Sequence, residues 1–170
     1  MGGVAMSLHI CKKQRNDVPL PNFTLESIDG AVVSLLDFRD RYNVVILFFN
    51  PSRDTDLQAL SLFGMKDPEF ADANAEVLAI AENPDDHSIQ HMKNMSIPFH
   101  ILKDPGLTVR TSLKIGESPS VAVLDRCGML LMLCSKCENA NETLEDIISE
   151  LLTVEMQSPE CGASSWRMDY

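Results

Sequence analysis

The chain has 170 residues, 45% of them hydrophobic, a net charge of -11 and a pI near 4.6. Such a length and composition suit one globular domain with a substantial core. The acidic balance argues against nucleic acid or an anionic membrane as main partner, because both are polyanions that this surface would repel.

No run approaches membrane-spanning length, and the first residues, MGGVAMSLHICKKQRN, lack an apolar stretch followed by a cleavage site, so the chain is expected to be cytoplasmic. Five cysteines, an odd number scattered through the sequence, do not form a secreted disulfide framework. In a reducing compartment most should be free thiols.

Residues 1–18 show no periodicity and read as an N-terminal arm carrying the small basic patch HICKKQR. From Pro19 a short strand at Phe23 to Leu25, a turn around Asp29-Gly30 and a second strand at Val32 to Leu35 are expected. Val44 to Phe49 is an unbroken apolar run rich in β-branched and aromatic residues, as in a strand buried on both faces. Asn50 and Pro51 stop it, and Asp54 or Thr55 is placed to cap a helix whose core face is Leu57, Leu60 and Phe63. The start of that helix offers unpaired N–H groups and partial positive charge, which favour an anion or a thiolate.

Glu69 to Asn74 then leads into a covered strand, Ala75 to Ala81, and Asn83-Pro84-Asp85-Asp86 opens a helix that ends before Pro98. Phe99 to Leu102 gives a short strand, and Asp104-Pro105-Gly106 a turn into a helix with Leu107, Arg110 and Leu113. Strand, helix and strand in this order require a parallel pair joined by a crossover. Ser118 to Leu133 reads as an antiparallel hairpin around Asp125-Arg126-Cys127-Gly128. A final helix, capped at Asn139 with Glu142 three residues later, presents Leu144, Ile147, Ile148, Leu151 and Leu152 to the sheet. Residues 157–170 are unperiodic and read as a C-terminal tail, which leaves 19–156 as the domain.

The loop Pro51-Ser52-Arg53-Asp54-Thr55-Asp56-Leu57-Gln58 resembles the PxxxTxxC loop of the peroxiredoxins, the AhpC/TSA redoxin family of the thioredoxin fold. Pro51 and Thr55 match. The opening hairpin, with Pro21, Phe23, Leu25, Gly30, Ser34, Leu35, Asp37 and Phe38, is also similar to the start of redoxin domains. The resemblance covers roughly residues 19–156 and implies an α/β fold with a central mixed sheet and helices on both faces. It also implies thiol-dependent antioxidant or oxidoreductase activity.

At the position where that family carries its peroxide-attacking cysteine stands Gln58. An amide can form neither a thiolate nor a sulfenic acid, so the family mechanism is expected to be absent here. The arginine that the family places near the start of the penultimate strand is missing from Glu117-Ser118-Pro119-Ser120, and Arg126 lies at the strand's far end. Pro119 is similar to the cis-proline before this strand in thioredoxin-like proteins. Arg53, Thr55, Gln58 and Pro119 would then line a remnant pocket for a small polar or anionic ligand, with a surface role for Arg53 as the alternative.

Cys134-Ser135-Lys136-Cys137 is the one CxxC. It is a candidate thiol–disulfide pair, with Lys136 favouring thiolate, although it lies after the hairpin rather than at the central strand's end. Two ordinary thiols at a strand end is the competing reading. Ser158-Pro159-Glu160-Cys161 repeats the spacing with one sulfur fewer, which leaves open a zinc site on Cys134, Cys137 and Cys161, or a disulfide from Cys161 to Cys134 or Cys137. His87 and His91 share a helix face, but no HExxH pattern accompanies them, and they read as exposed. Cys11, beside His9, Lys12 and Lys13, should have some thiolate character, and Cys127 reads as incidental. These readings give a redoxin domain that lacks peroxidase chemistry and is kept as a binding or interaction module for a protein partner or small ligand, compatible with a homodimer. The enzyme-class rival is a thiol oxidoreductase built on the CxxC.

Overall fold

The computed structural model describes residues 10–13, 19–135, 137 and 140–157. Eight strands and five α-helices are arranged as follows: β1 (Ile10–Lys13), β2 (Thr24–Glu26), β3 (Val32–Ser34), β4 (Asn43–Phe49), α1 (Asp54–Met65), α2 (Asp67–Asp72), β5 (Ala75–Glu82), α3 (Asp86–Asn94), β6 (His100–Asp104), α4 (Thr108–Ser112), β7 (Ser120–Leu124), β8 (Leu130–Ser135) and α5 (Ala140–Gln157). Six of the strands form one mixed sheet in the order β1-β8-β7-β4-β5-β6, and β2 with β3 forms a separate hairpin. β4, β5 and β6 run parallel, as the two crossover units require, while β7, β8 and β1 are antiparallel.

The apolar run of β4 is central because both faces of the sheet are covered. Successive side chains of a strand point to opposite faces. Val45, Leu47 and Phe49 accordingly pack in one core with Leu60, Phe63, Phe70, Met92, Leu144, Ile147 and Leu151 from α1, α2, α3 and α5. Val44, Ile46 and Phe48 pack in the other with Phe23, Val33 and Leu35 of the hairpin region and Val109 of α4. Helices thus lie on both faces, with α4 and the β2–β3 hairpin together forming the thinner layer.

Several local expectations change. Residues 10–13 of the arm form β1, an edge strand paired with β8. Short polar strands lack the periodicity that reveals a buried element, so the sequence alone gave no sign of it. The N-cap of α1 is Arg53, and Asp54 already lies inside the helix without a side-chain cap. The carboxylate that serves this loop is Asp56, fully buried, whose Oδ2 accepts from the Asn50 backbone N–H at 2.8 Å. A short helix, α2, occupies residues expected to be a connection, with Pro68 in its first turn and Phe70 buried. On α5, Thr143 and Val154 are buried and Leu152 is 44% exposed, so the buried stripe is shifted from the expected one. The expected cap Asn139 lies outside the described residues.

Candidate functional site

β4, β5 and β6 end at the same edge of the sheet, and the loops that follow them meet the segment leading into β7. In open α/β sheets this carboxyl edge is where ligands bind. The loop after β4 is held locally: Asn50 Oδ1 accepts from the Ser52 N–H at 2.9 Å, and the Asn50 carbonyl accepts from the Arg53 N–H at 3.1 Å. Pro51 is buried, whereas Arg53, Thr55 and Gln58 are exposed. Thr55 Oγ1 donates to Asp56 Oδ1 at 3.4 Å, and Arg53 Nε stands 3.8 Å from the same oxygen.

Arg53 also donates through Nη1 to the Ser118 carbonyl at 3.3 Å. That contact brings the β4–α1 loop against the residue preceding Pro119, and the Ser118–Pro119 peptide bond is cis, matching the thioredoxin-like feature inferred for this proline. Of the four residues expected to line a remnant pocket, the structure therefore joins Arg53 to the Pro119 turn. Thr55 and Gln58 lie on the exposed face of α1, and Pro119 is buried.

A second set of charges, absent from the sequence reading, lies at the ends of β5 and β6. Glu82 is 9% exposed, and its Oε1 is 3.2 Å from Arg110 Nε. Neither atom has an aligned hydrogen bond, so the contact is an ion pair only. Burial pushes the Glu82 carboxyl above the usual range; the Arg110 charge opposes this, Asp56 adds to it, and the Ser118 hydroxyl and Arg53 oppose it. Arg110 also donates to the Gly116 carbonyl. Asp104, fully buried, fixes the start of α4 by accepting from the Val109 and Arg110 N–H groups at 3.1 Å each. The signal for Glu82 was available in AEVLAIAE, a charge directly ending the apolar run Val77–Ala81, but Arg110 looked like a member of a helix face. The rim thus carries three buried acids, of which Asp56 faces Arg53 and Glu82 faces Arg110, while Asp104 is bound by backbone N–H groups.

The cysteines are distributed differently from the expectation of mostly free thiols. Cys134 is fully buried and disulfide-bonded, and Cys127, half-buried in the β7–β8 turn, is disulfide-bonded as well. Cys137 is a free thiol, 3% exposed, so the two cysteines of the CxxC do not bond to each other and Cys137 is not bonded to Cys161. Burial pushes the Cys137 thiol up to about 12, against opposing hydrogen bonds from the Thr143 hydroxyl and the Val121 backbone. Its N–H donates to the Pro119 carbonyl at 2.8 Å, so it braces the cis-proline turn from behind. Among the described residues no three His, Cys, Asp or Glu side chains are grouped to hold a metal, and Cys161 lies outside them. His87 and His91 are both exposed on α3, as expected, beside the buried Met92.

At the opposite end of the parallel strands a cleft of ≈ 250 Å³ is lined by Asp29, Glu76, Phe99 and His100 among others. Burial, followed by repulsion from Asp67, raises the Glu76 carboxyl, and attraction to His100 opposes the rise. No helix among the described residues is long and apolar enough to cross a membrane.

Residues 17–132 match the AhpC/TSA family model. A chloroplastic peroxiredoxin Q of Oryza sativa subsp. japonica is 32% identical over 103 residues, covering 59% of this chain and 46% of the rice protein. The chain thus spans about half the length of the curated relatives it matches. Peroxidoxin BcpB from Mycobacterium tuberculosis superposes with a TM-score of 0.73 at 16% identity, covering 84% of this chain and 97% of that one. The thioredoxin domain of the thiol-disulfide oxidoreductase BVU-2223 from Bacteroides vulgatus gives a TM-score of 0.61 at 15% identity, covering 76% and 96%. These structural likenesses establish the thioredoxin-like fold.

Proposed function

The chain belongs to the AhpC/TSA family, and we propose that within this group of peroxiredoxin and thiol-disulfide oxidoreductase-like redoxins it has given up peroxide reduction and serves as a binding or interaction module. The observation that carries this reading is Gln58, at the eighth position of the loop that begins at Pro51. Peroxide reduction by a thiol requires a thiolate sulfur to attack one peroxide oxygen, breaking the O–O bond so that the sulfur becomes a sulfenic acid and the other oxygen leaves as water or alcohol. All five cysteines lie elsewhere, at 11, 127, 134, 137 and 161. The surrounding charges point the same way: buried Asp56 and Glu82 would oppose a thiolate at this edge, and Arg53 and Arg110 are committed to those acids.

The rim suits recognition of a polar group or a partner's backbone. Arg53, whose Nε faces Asp56 and whose Nη1 donates to the Ser118 carbonyl, keeps its side chain 53% exposed at the mouth of the loop, beside the exposed Thr55 hydroxyl and Gln58 amide. The CxxC reading is weaker because exchange needs an accessible thiolate, whereas Cys137 is buried with a raised pKa and Cys134 is already in a disulfide. Peroxide consumption with hydrogen peroxide and an organic hydroperoxide, each with a thioredoxin reducing system, tests the proposal. The expected rate equals that of the reducing system alone, and saturable turnover overturns the reading.

A further inference from the structure

Cys127 and Cys134 are each disulfide-bonded, yet they cannot be bonded to each other. Cys127 sits in the Asp125–Gly128 turn, beyond the Leu124–Leu130 pair, whereas Cys134 pairs with Val121 toward the other end of β8. The ladder alone separates them by more than about 10 Å at about 3.3 Å per residue, while a disulfide needs α-carbons about 4.4–6.8 Å apart. With Cys137 a free thiol, the partners are Cys11 and Cys161.

The register of β1 on β8 decides which is which. Cys11 is the direct Cα partner of Cys134. Residues directly opposite in an antiparallel ladder have α-carbons about 4.5–5.5 Å apart, inside the disulfide range. Cys161 then falls to Cys127, and a second observation supports this. The last turns of α5 lie against the β7–β8 turn, with Glu155 Oε1 3.8 Å from Arg126 Nη2 and 2.9 Å from Asn43 Nδ2. Cys161 follows Glu155 by six positions, a span that reaches at most about 20 Å.

We propose that the chain carries two disulfides, Cys11–Cys134 and Cys127–Cys161, which fasten the arm strand and the C-terminal tail to the β7–β8 hairpin. The proposal is independent of the function argued above. Each bond forms by exchange with a low-molecular-weight disulfide. One cysteine thiolate attacks it and expels a thiolate, and the second cysteine displaces the remaining half. The two cysteines lose two electrons and two protons, and the oxidant becomes two thiols. Oxidation then makes the attachment of β1 covalent, where otherwise a four-residue edge ladder holds it. The Cys134 end of β8 is also the end at which Cys137 bonds Pro119, so this fastening lies behind the cis-proline turn.

The test uses the full chain equilibrated with oxidised glutathione, acid-quenched, alkylated in denaturant and digested with pepsin at acid pH. Cleavage within Leu130–Leu133 separates Cys127 from Cys134, and cleavage within α5 separates Cys137 from Cys161. The expected result is two cross-linked peptide pairs, Cys11 with Cys134 and Cys127 with Cys161, and alkylation of Cys137 alone. C11S and C161S, treated in the same way, should each release one further thiol, at Cys134 and Cys127 respectively. A Cys134–Cys161 or Cys127–Cys134 link, glutathione adducts without cross-links, or alkylation of all five cysteines overturns the proposal.

Discussion

Removing the Cys137 thiol should change how the fold responds to alkaline pH. Its folded pKa lies at about 12 against an ordinary value of 9.0. Because the folded value is raised, the native state holds this proton more tightly than the unfolded chain does. The stabilisation is therefore fully present below pH 9 and is lost as pH rises toward 12. A shift of three units corresponds to about 4 kcal/mol in total, at about 1.4 kcal/mol per pH unit. Tyrosines and lysines titrate in the same window, so the useful quantity is the difference between the parent and C137A. Urea unfolding at pH 8, 9, 10 and 11 should show the parent losing about 1 kcal/mol per unit more than C137A above pH 9. At pH 7.5 the same shift leaves about a thousandfold less thiolate than an ordinary cysteine, so a thiol reagent should label native Cys137 at least that much more slowly than in denaturant. Parallel alkaline slopes for the two proteins, together with rapid native labelling, would refute the assignment of Cys137 as a buried structural thiol.

Other perturbations probe the core and the charged rim. F63A removes a ring that is 1% exposed and stacked 5.9 Å from Phe70, and should cost about 3–5 kcal/mol in denaturant unfolding. D104A leaves the Val109 and Arg110 N–H groups without their acceptor and should cost about 1–3 kcal/mol, read from the unfolding midpoint. E76Q should leave stability unchanged below pH 4 and raise it slightly at pH 7, because the raised Glu76 carboxyl favours the folded state only while protonated; a melting-temperature series against pH checks the sign. R110M strands Glu82 as an unpaired buried acid and should lower the melting temperature more at pH 8 than at pH 4.

The fold was legible wherever burial wrote a pattern. Val44–Phe49, Ala75–Ala81 and the stripe of α5 have compositions that only covered elements carry, and their order dictated the parallel pairs. β1 and α2 escaped notice because neither is long enough to show periodicity, and β1 is held by the ladder to β8 rather than by a pattern of its own. At the candidate site the loop from Pro51 to Gln58 and the cis-proline turn were readable from resemblance, while the acid–arginine rim was not. Glu82 and Arg110 lie 28 positions apart and meet only because β5 ends, and α4 begins, at the same sheet edge. The disulfide state of Cys127 and Cys134 was likewise hidden, since spacing along the chain singled out the CxxC and not the cross-strand neighbour of Cys134.

The most direct test of the account treats the reduced chain with one equivalent of hydrogen peroxide in the presence of a dione that traps sulfenic acids, followed by peptide mass analysis. The account predicts no rapid trapping, because position 58 holds an amide and Cys137 is buried as a protonated thiol. A cysteine converted to the trapped adduct within seconds would show that this chain retains a peroxide-reactive thiol, contradicting the central claim.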